Sequence, residues 1–168
     1  MAEAGILDEN DRVELIHGEI IKMSPIGSKH SGHVNRINAL FSQLAGNRAI
    51  ISIQKPIILG DYSEPEPDIV ILKYRDDYYT KEHPRPENIL LIIEVADTSL
   101  YYDREIKIPM FANAGISEFW IVNLENEQVE VYKKPTTGRY AEQEIFKRGD
   151  SIHLEILGKS LNAGDMLV

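Results

Sequence analysis

The run NILLIIEVAD at residues 88–97 constrains the fold more than any other part of the chain. It is too short to span a membrane, and its unbroken apolar character is typical of a strand that is covered on both faces of a sheet. Glu94 interrupts the run near its end. Because removing an unpaired carboxylate from water is costly, we expect Glu94 to have a cationic partner, a metal ion or a raised pKa.

The sequence around this run predicts a sheet with helices packed on it. Apolar residues recur at intervals of three and four over residues 28–44, and a second helix is expected over residues 100–114, kinked at Pro109 and ended by Gly115. A tight hairpin turn is expected at His17 and Gly18. Strands are predicted at residues 49–53, 56–59, 67–72, 89–95, 118–123, 128–134 and 140–147, with a short final ladder around 151–157. The fold class is therefore α/β (α+β).

Length, charge and cysteine content limit the function. A chain of 168 residues suits a single domain over residues 1–168. The absence of cysteine excludes thiolate catalysis and Cys-ligated zinc, and no signal peptide or membrane segment is recognisable, so a cytoplasmic protein is expected. The net charge of −9 argues against a broad nucleic-acid surface but leaves room for a local basic groove.

Asp68 and Glu94 are expected to converge. Asp68 begins the strand PDIVIL, and Glu94 stands near the end of the next predicted long strand. If these strands are antiparallel neighbours, the start of one lies beside the end of the other. Two adjacent carboxylates favour Mg²⁺, which takes one or two carboxylates plus waters and phosphate oxygens. Taken singly, Asp68 could be a polar residue at a strand start, and Glu94 could cap a backbone amide or pair with an arginine.

Asp103 and Lys107 lie four residues apart on the helix that follows the Glu94 strand. A lysine above a metal site can orient the attacking water, help to deprotonate it, or stabilise negative charge in the transition state. Two carboxylates and a lysine together indicate phosphodiester cleavage. The alternative is a surface ion pair worth about 0.3 to 0.5 kcal/mol.

These motifs, in this order, resemble a known family. PD at residues 67–68, a strand ending in Glu94 and a following lysine resemble the PD-(D/E)XK restriction-endonuclease-like superfamily. More narrowly, VELIHGEIIKMSP, His30, EPEPDIVIL and IIEVADTSLYYDREIKIPMFANAGISEFWIVN resemble the Uma-two family of bacterial endonucleases, over roughly residues 13–135. The resemblance implies a restriction-endonuclease-like mixed central sheet flanked by helices, with an N-terminal hairpin and additional C-terminal strands.

The resemblance also implies an activity and a set of site residues. The expected activity is hydrolysis of phosphodiester bonds in nucleic acid, most simply DNA, with Mg²⁺ as cofactor and Mn²⁺ as its substitute. A homodimer would suit the cutting of duplexes, and the apolar residues 115–123 could supply its interface. By motif, the catalytic residues are Asp68, Glu94 and Lys107, the metal ligands are Asp68, Glu94 and the backbone carbonyl of Val95, and the additional candidates are Glu14, His30 and Asp103.

One departure from the superfamily pattern leaves other functions open. The pattern places a lysine two residues after the glutamate, where this chain has Ala96, so Lys107 would be a displaced lysine. Ala96 and the acidic charge favour a catalytically silent DNA-binding or protein-interaction module. A closed pocket would favour a metal-dependent hydrolase of a small phosphoester. An open cleft would favour a polynucleotide, with four candidate cations at its edge: Lys22, Lys29, Lys55 and Arg104.

Three polar positions near the amino terminus have simpler interpretations. Glu14 is expected on the exposed face of the hairpin. His30 and His33 have the spacing of a metal-binding pair on a helix, but they have no third ligand nearby, so a solvated helix start is expected.

Overall fold

The computed structural model describes residues 12–167, and this part of the chain contains ten strands. They are β1 (Val13–Ile16), β2 (Glu19–Lys22), β3 (Ala49–Ile53), β4 (Ile69–Lys73), β5 (Ile89–Ala96), β6 (Glu118–Asn123), β7 (Gln128–Thr136), β8 (Arg139–Lys147), β9 (Ser151–Leu154) and β10 (Lys159–Asn162). The strands from β3 to β8 form one sheet in chain order. Within it only β5 and β6 are parallel, so the mixed central sheet is confirmed. The prediction of an amino terminus without a signal peptide falls largely on residues 1–11, outside the described residues.

The strand β5 is covered on both faces, as its apolar run predicts. Leu91, Ile93 and Val95 belong to the core layer that contains helix α1 (Ser28–Ala45). Ile92 and Ala96 belong to the core layer on the opposite face. Because side chains alternate along a strand, Glu94 points to the same face as Ile92 and Ala96.

Helix α1 matches the predicted helix in position and packing. Its buried residues include Val34, Ile37 and Phe41, which recur at the predicted helical spacing. Gly46 follows the last turn with φ of +54°, and its backbone N–H donates to the Ser42 carbonyl. Glycine adopts such a positive φ without the steric penalty of a Cβ, so the chain can leave the helix at this residue.

The crossover from β5 to β6 is helical but is wound in three parts. These are α2 (Leu100–Tyr102), a π-helical segment (Asp103–Lys107) and α3 (Ile108–Asn113). Ile108 donates to the Asp103 carbonyl five residues back, and Pro109 has no N–H to donate. The wider turns therefore stand where the sequence predicts a kink. They leave both Asp103 and Lys107 buried.

Two predictions about the fold are wrong. Residues 56–59 form no strand, because their amides bond to loops: Ile57 donates to the Pro65 carbonyl, Ile58 to that of Pro84 and Leu59 to that of Ser63. Residues 115–123 do not offer an apolar interface, because they lead into β6, whose six residues are all buried in the centre of the sheet.

The predicted amino- and carboxyl-terminal additions are both present. β1 and β2 form a hairpin whose turn places His17 and Gly18 at positive φ, and β9 and β10 form a second hairpin. Ile152 and Leu161 of the second hairpin join the core layer of α1. Short 3₁₀ turns occupy Pro86–Asn88 and Ala163–Asp165. No helix within residues 12–167 is long and apolar enough to cross a membrane.

Candidate functional site

Strand register brings Asp68 and Glu94 together. β4 and β5 are antiparallel with Ile69 opposite Ile93, so Asp68 lies opposite Glu94. The backbone N–H of Asp68 donates to Oε2 of Glu94 at 3.3 Å, and both residues are buried. The structure therefore places the two carboxylates side by side, as the predicted antiparallel pairing requires.

Asp68 is held mainly through one of its two carboxylate oxygens. Oδ2 accepts hydrogen bonds from His30 Nε2 and from the backbone N–H of Val95, both at 2.9 Å. Oδ1 accepts only a longer bond of 3.3 Å from Gln54 Nε2. Burial alone would raise the pKa of Asp68, but the His30 hydrogen bond holds that pKa below its ordinary value. The same bond raises the pKa of His30.

The buried Glu94 has the cationic partner that the sequence predicts, because it forms an ion pair with Lys107. Lys107 Nζ donates to Glu94 Oε1 at 2.8 Å and lies 3.6 Å from Asp103 Oδ1. Asp103 also accepts a 2.7 Å hydrogen bond from Ser99 Oγ. Burial raises the pKa values of Glu94 and Asp103, and it would lower that of Lys107, but the two carboxylates hold the lysine pKa above its ordinary value. The alternative of a surface ion pair is wrong, because Lys107 and Asp103 are only 7% and 1% exposed.

Arg104 anchors the π-helical segment beside this cluster. Its guanidinium makes two hydrogen bonds, at 2.5 and 3.1 Å, to Glu130 of β7. Glu130 also accepts from Asn123, Gln128 and Tyr132. The ion pair therefore holds the segment that carries Lys107 against the sheet. Arg104, predicted as a cation at the edge of a cleft, is instead bound to Glu130.

Glu14 is buried, so its predicted position on an exposed face is wrong. The backbone of β1 pairs with Glu64 through Leu15, and Glu14 Oε1 accepts a 2.9 Å hydrogen bond from the Glu66 N–H. Docking of the hairpin against this loop turns Glu14 inward.

His30 and His33 do not form a metal-binding pair. His30 contacts Asp68, whereas His33 Nδ1 donates to the Lys29 carbonyl at 2.8 Å.

The candidate residues share a pocket of about 370 Å³. Residues 21–27 line one side, and Tyr102, Asp103 and Lys107 line another. Of the cations predicted at its edge, Lys22 lines the pocket, whereas Lys29 is paired with Asp97 at 2.9 Å. The lining carboxylates are Glu14, Glu66, Asp68, Glu94, Asp97 and Asp103. The pocket lining is therefore rich in carboxylates.

Gln54 and Tyr102 contact the candidate site residues but are not predicted from the sequence. Gln54 directly follows β3, and it lies opposite Asp68 across the antiparallel pair, as Glu94 does on the other side. The strand-end argument that predicts the Asp68 and Glu94 pair could have found it. Tyr102 lies immediately before Asp103, with Lys107 Nζ at 5.9 Å from its ring centroid. Its place in the pocket depends on the winding of the helix, for which the sequence gives no clear signal.

The donor set fits a hard divalent cation. Within residues 12–167, no group of three or more His, Asp or Glu side chains is arranged to hold a metal ion. However, Asp68 Oδ1 and Glu94 Oε2 each accept only one hydrogen bond, of 3.3 Å. Two such oxygens suit Mg²⁺, which keeps several waters and uses few protein carboxylates.

The comparisons with known proteins agree with this architecture. A crystal structure from Anabaena variabilis ATCC 29413, described as a putative nuclease belonging to DUF820, is similar with a TM-score of 0.74 and 15% sequence identity. The match covers 98% of this chain and 94% of that chain, and at this identity it shows the shared fold. No curated protein matches the chain. The model of the Uma2 (Uma-two) family, described as "Putative restriction endonuclease", matches residues 3–164. Because the match spans nearly the whole chain, this protein belongs to the Uma-two family.

Proposed function

We propose that this protein is a divalent-cation-dependent nuclease that cleaves DNA in the pocket around Asp68. The observation that carries the proposal is the convergence of Asp68, Glu94 and Lys107 from a loop end, a strand and a π-helical segment. Two carboxylates beside a lysine supply the charges that phosphodiester hydrolysis requires. The family description supports nucleic acid as the substrate.

Asp68 and Glu94 would hold Mg²⁺ through the two carboxylate oxygens that carry single, long hydrogen bonds. The backbone carbonyl of Val95 would complete the protein ligands, and Mn²⁺ would be accepted by the same oxygen donors. The cation, when bound, would supply a water of lowered pKa and positive charge beside the scissile phosphate.

The chain's own residues would orient and neutralise the reacting groups. Lys107, held between Glu94 and Asp103, keeps its positive charge and offers it to the phosphate as negative charge develops. His30 fixes the orientation of Asp68 through Oδ2, which leaves Oδ1 toward the cation site. Glu14 adds a buried carboxylate to the pocket and would strengthen its attraction for cations.

A small phosphoester is the second candidate substrate, and a specific observation favours it. Lys29 and Arg104 are tied to Asp97 and Glu130, and Lys55 is not part of the pocket lining. Besides Lys107, two cationic residues of the described chain line the pocket, Arg12 and Lys22, against the four predicted at its edge, which limits contacts with successive phosphates of a polynucleotide. A pocket of about 370 Å³ lies within the range of small-ligand sites.

A cleavage assay tests the proposal. Purified protein is incubated with supercoiled, linear duplex and single-stranded DNA and with bis(4-nitrophenyl) phosphate, each with Mg²⁺, Mn²⁺ or EDTA. We expect metal-dependent DNA cleavage that falls by about 100-fold or more in Asp68→Ala, Glu94→Gln and Lys107→Met. Glu125→Gln, at an exposed turn, is the matched control and should retain activity.

The other outcomes separate the candidates. Hydrolysis of bis(4-nitrophenyl) phosphate without DNA cleavage would favour the small-phosphoester hydrolase. No turnover of any substrate and no binding of Mn²⁺ by calorimetry would contradict the proposal and favour the catalytically silent module.

Three broader predictions accompany the proposed activity. A single domain over residues 1–168 predicts one cooperative unfolding transition. A homodimer on duplex DNA predicts a complex of two protein chains and one duplex by light scattering when DNA is added. A cytoplasmic location is tested by fractionation of cells that express the protein.

A further inference from the structure

The hydroxyl group of Tyr102 is buried in the candidate site without a hydrogen-bond partner. Tyr102 is the last residue of α2, and it lines the pocket directly before the segment that carries Asp103 and Lys107. A buried hydroxyl without a partner is uncommon, because it has lost its bonds to water and gained none from the protein. The group therefore calls for an acceptor that the described residues do not supply.

The unsatisfied polar atoms concentrate in this pocket. Residues 12–167 contain three buried side-chain nitrogen or oxygen atoms that have no partner: His30 Nδ1, Tyr102 Oη and Tyr140 Oη. The first two belong to pocket-lining residues, which enter from α1 and α2 respectively. In contrast, four of the lining carboxylates, Glu14, Asp68, Glu94 and Asp103, each accept at least one hydrogen bond. Tyr102 Oη is therefore a side-chain donor of the pocket that has no acceptor.

The chemistry of the hydroxyl identifies the kind of group it lacks. Burial, and then the negative charge of Glu14, raise the pKa of Tyr102, so the phenol stays protonated and can donate. An ideal acceptor is an oxygen that carries negative charge, because such hydrogen bonds are stronger than neutral ones. The non-bridging oxygens of a phosphoester meet this description and would arrive beside Lys107.

We propose that the Tyr102 hydroxyl donates a hydrogen bond to a non-bridging oxygen of the phosphoester bound in this pocket, which makes Tyr102 a substrate-binding residue. This inference rests on the proposed phosphodiesterase function. It adds a contact that the family motif of carboxylates and lysine does not contain. The oxygen is covered in the structure described here, so binding would include a small shift of the surrounding side chains.

The test compares Tyr102→Phe with Tyr101→Phe. The first removes only the buried hydroxyl and keeps the ring beside Lys107. The second is a matched control, because Tyr101 is 79% exposed and does not line the pocket. The measurements are the thermal midpoint, the affinity for Mn²⁺ by calorimetry, and KM for single-stranded DNA, duplex DNA and bis(4-nitrophenyl) phosphate.

We expect Tyr102→Phe to keep or slightly raise its thermal midpoint, because an unsatisfied buried polar atom is removed, and to keep its Mn²⁺ affinity. KM should rise by about 10-fold, the loss expected for one hydrogen bond to a charged acceptor. Tyr101→Phe should change none of these quantities. A rise in KM for bis(4-nitrophenyl) phosphate as well as for DNA would place the contact on the phosphodiester itself. A rise for DNA alone would place it on a phosphate flanking the cleaved bond.

Two results would overturn the inference and leave the proposed function intact. One is an active Tyr102→Phe enzyme with unchanged KM for every substrate. The other is a lowered thermal midpoint with unchanged KM, which would show that the hydroxyl bonds a structural water. If the unmodified protein neither binds nor cleaves any of the three substrates, the proposed function fails and this inference fails with it.

Discussion

Lys107 donates a 2.8 Å hydrogen bond to Glu94, although one residue lies on a π-helical segment and the other on the central strand β5. The superfamily pattern would place this lysine at position 96, on the same strand as the glutamate. Ala96 instead packs in the apolar layer on that face of the sheet. Lys107 therefore delivers its positive charge to Glu94 from the helical crossover rather than from β5.

Because this ion pair is buried, we expect removal of Lys107 to lower the stability of the protein much more than removal of an exposed lysine. Lys107→Met would leave Glu94 and Asp103 as buried carboxylates without their cation. We expect the free energy of unfolding to fall by about 3 to 5 kcal/mol, as measured by urea denaturation.

The control for this prediction is a lysine on the surface. Lys134 pairs with Glu142, and its side chain is 70% exposed, so solvent screens the pair and Lys134→Met should cost far less stability than Lys107→Met. The double variant Lys107→Met with Glu94→Gln should recover part of the loss, because the glutamine no longer needs a cation. Equal costs for the two single variants would contradict the burial argument.

The environment of Glu130 predicts that the folded protein loses stability in acid. Burial alone would raise the pKa of Glu130, but hydrogen bonds from Arg104, Asn123 and Tyr132 hold it below its ordinary value. A carboxyl whose pKa is lowered by folding stabilises the protein above its unfolded pKa of about 4.3, and this stabilisation is lost as the pH falls through the folded value. The stability advantage of the unmodified protein over Glu130→Gln should therefore shrink from about pH 5 downward.

Thermal midpoints from pH 7 to pH 3 measure this advantage. Contributions from Glu94 and Asp103, whose pKa values are raised, are common to both proteins and cancel in the difference. The exposed Glu144→Gln supplies the control for removal of a carboxylate from the surface of the neighbouring strand. A Glu130→Gln difference that stays constant with pH would contradict the prediction.

The parts of the site that follow from strand order could be predicted from the sequence. Antiparallel pairing of consecutive strands places the start of β4 beside the end of β5, which is why Asp68 and Glu94 converge. The apolar spacing of Val34, Ile37 and Phe41 predicts α1 because helical periodicity depends only on local geometry.

The parts that depend on tertiary docking could not be predicted in this way. Glu14 alternates like an exposed hairpin residue, and it is buried because β1 docks through Leu15 against the loop that contains Glu64. Residues 56–59 have the composition of a strand but find their hydrogen-bond partners in two separate loops. Asp103 and Lys107 are both buried on the π-helical segment before Pro109. Their spacing of four residues is also compatible with an ion pair on the surface, so the sequence alone does not predict their burial.

The proposed cation site predicts stabilisation by Mn²⁺. A ligand at 100 times its dissociation constant stabilises the folded state by about 2.7 kcal/mol, which corresponds to a rise of several degrees in the thermal midpoint of a chain of this size. Asp68→Asn should abolish the rise, whereas Asp61→Asn, at an exposed position outside the pocket lining, should keep it. An equal rise in both variants would place Mn²⁺ binding elsewhere on the protein.

Gln54 predicts an unusual order of stabilities for two small substitutions. Its φ is +48°, in the left-handed region, which costs a residue with a Cβ about 1 to 2 kcal/mol and costs glycine very little. Gln54→Gly and Gln54→Ala both remove the amide that contacts Asp68, so their difference reports the backbone. Gln54→Gly should be the more stable variant by about 1 kcal/mol in urea denaturation.

Lys55 is the neighbouring control: its φ is not positive, so Lys55→Gly should be less stable than Lys55→Ala. If alanine is the better residue at position 54 as well, then Gln54 does not hold the left-handed conformation that brings its side chain to Asp68.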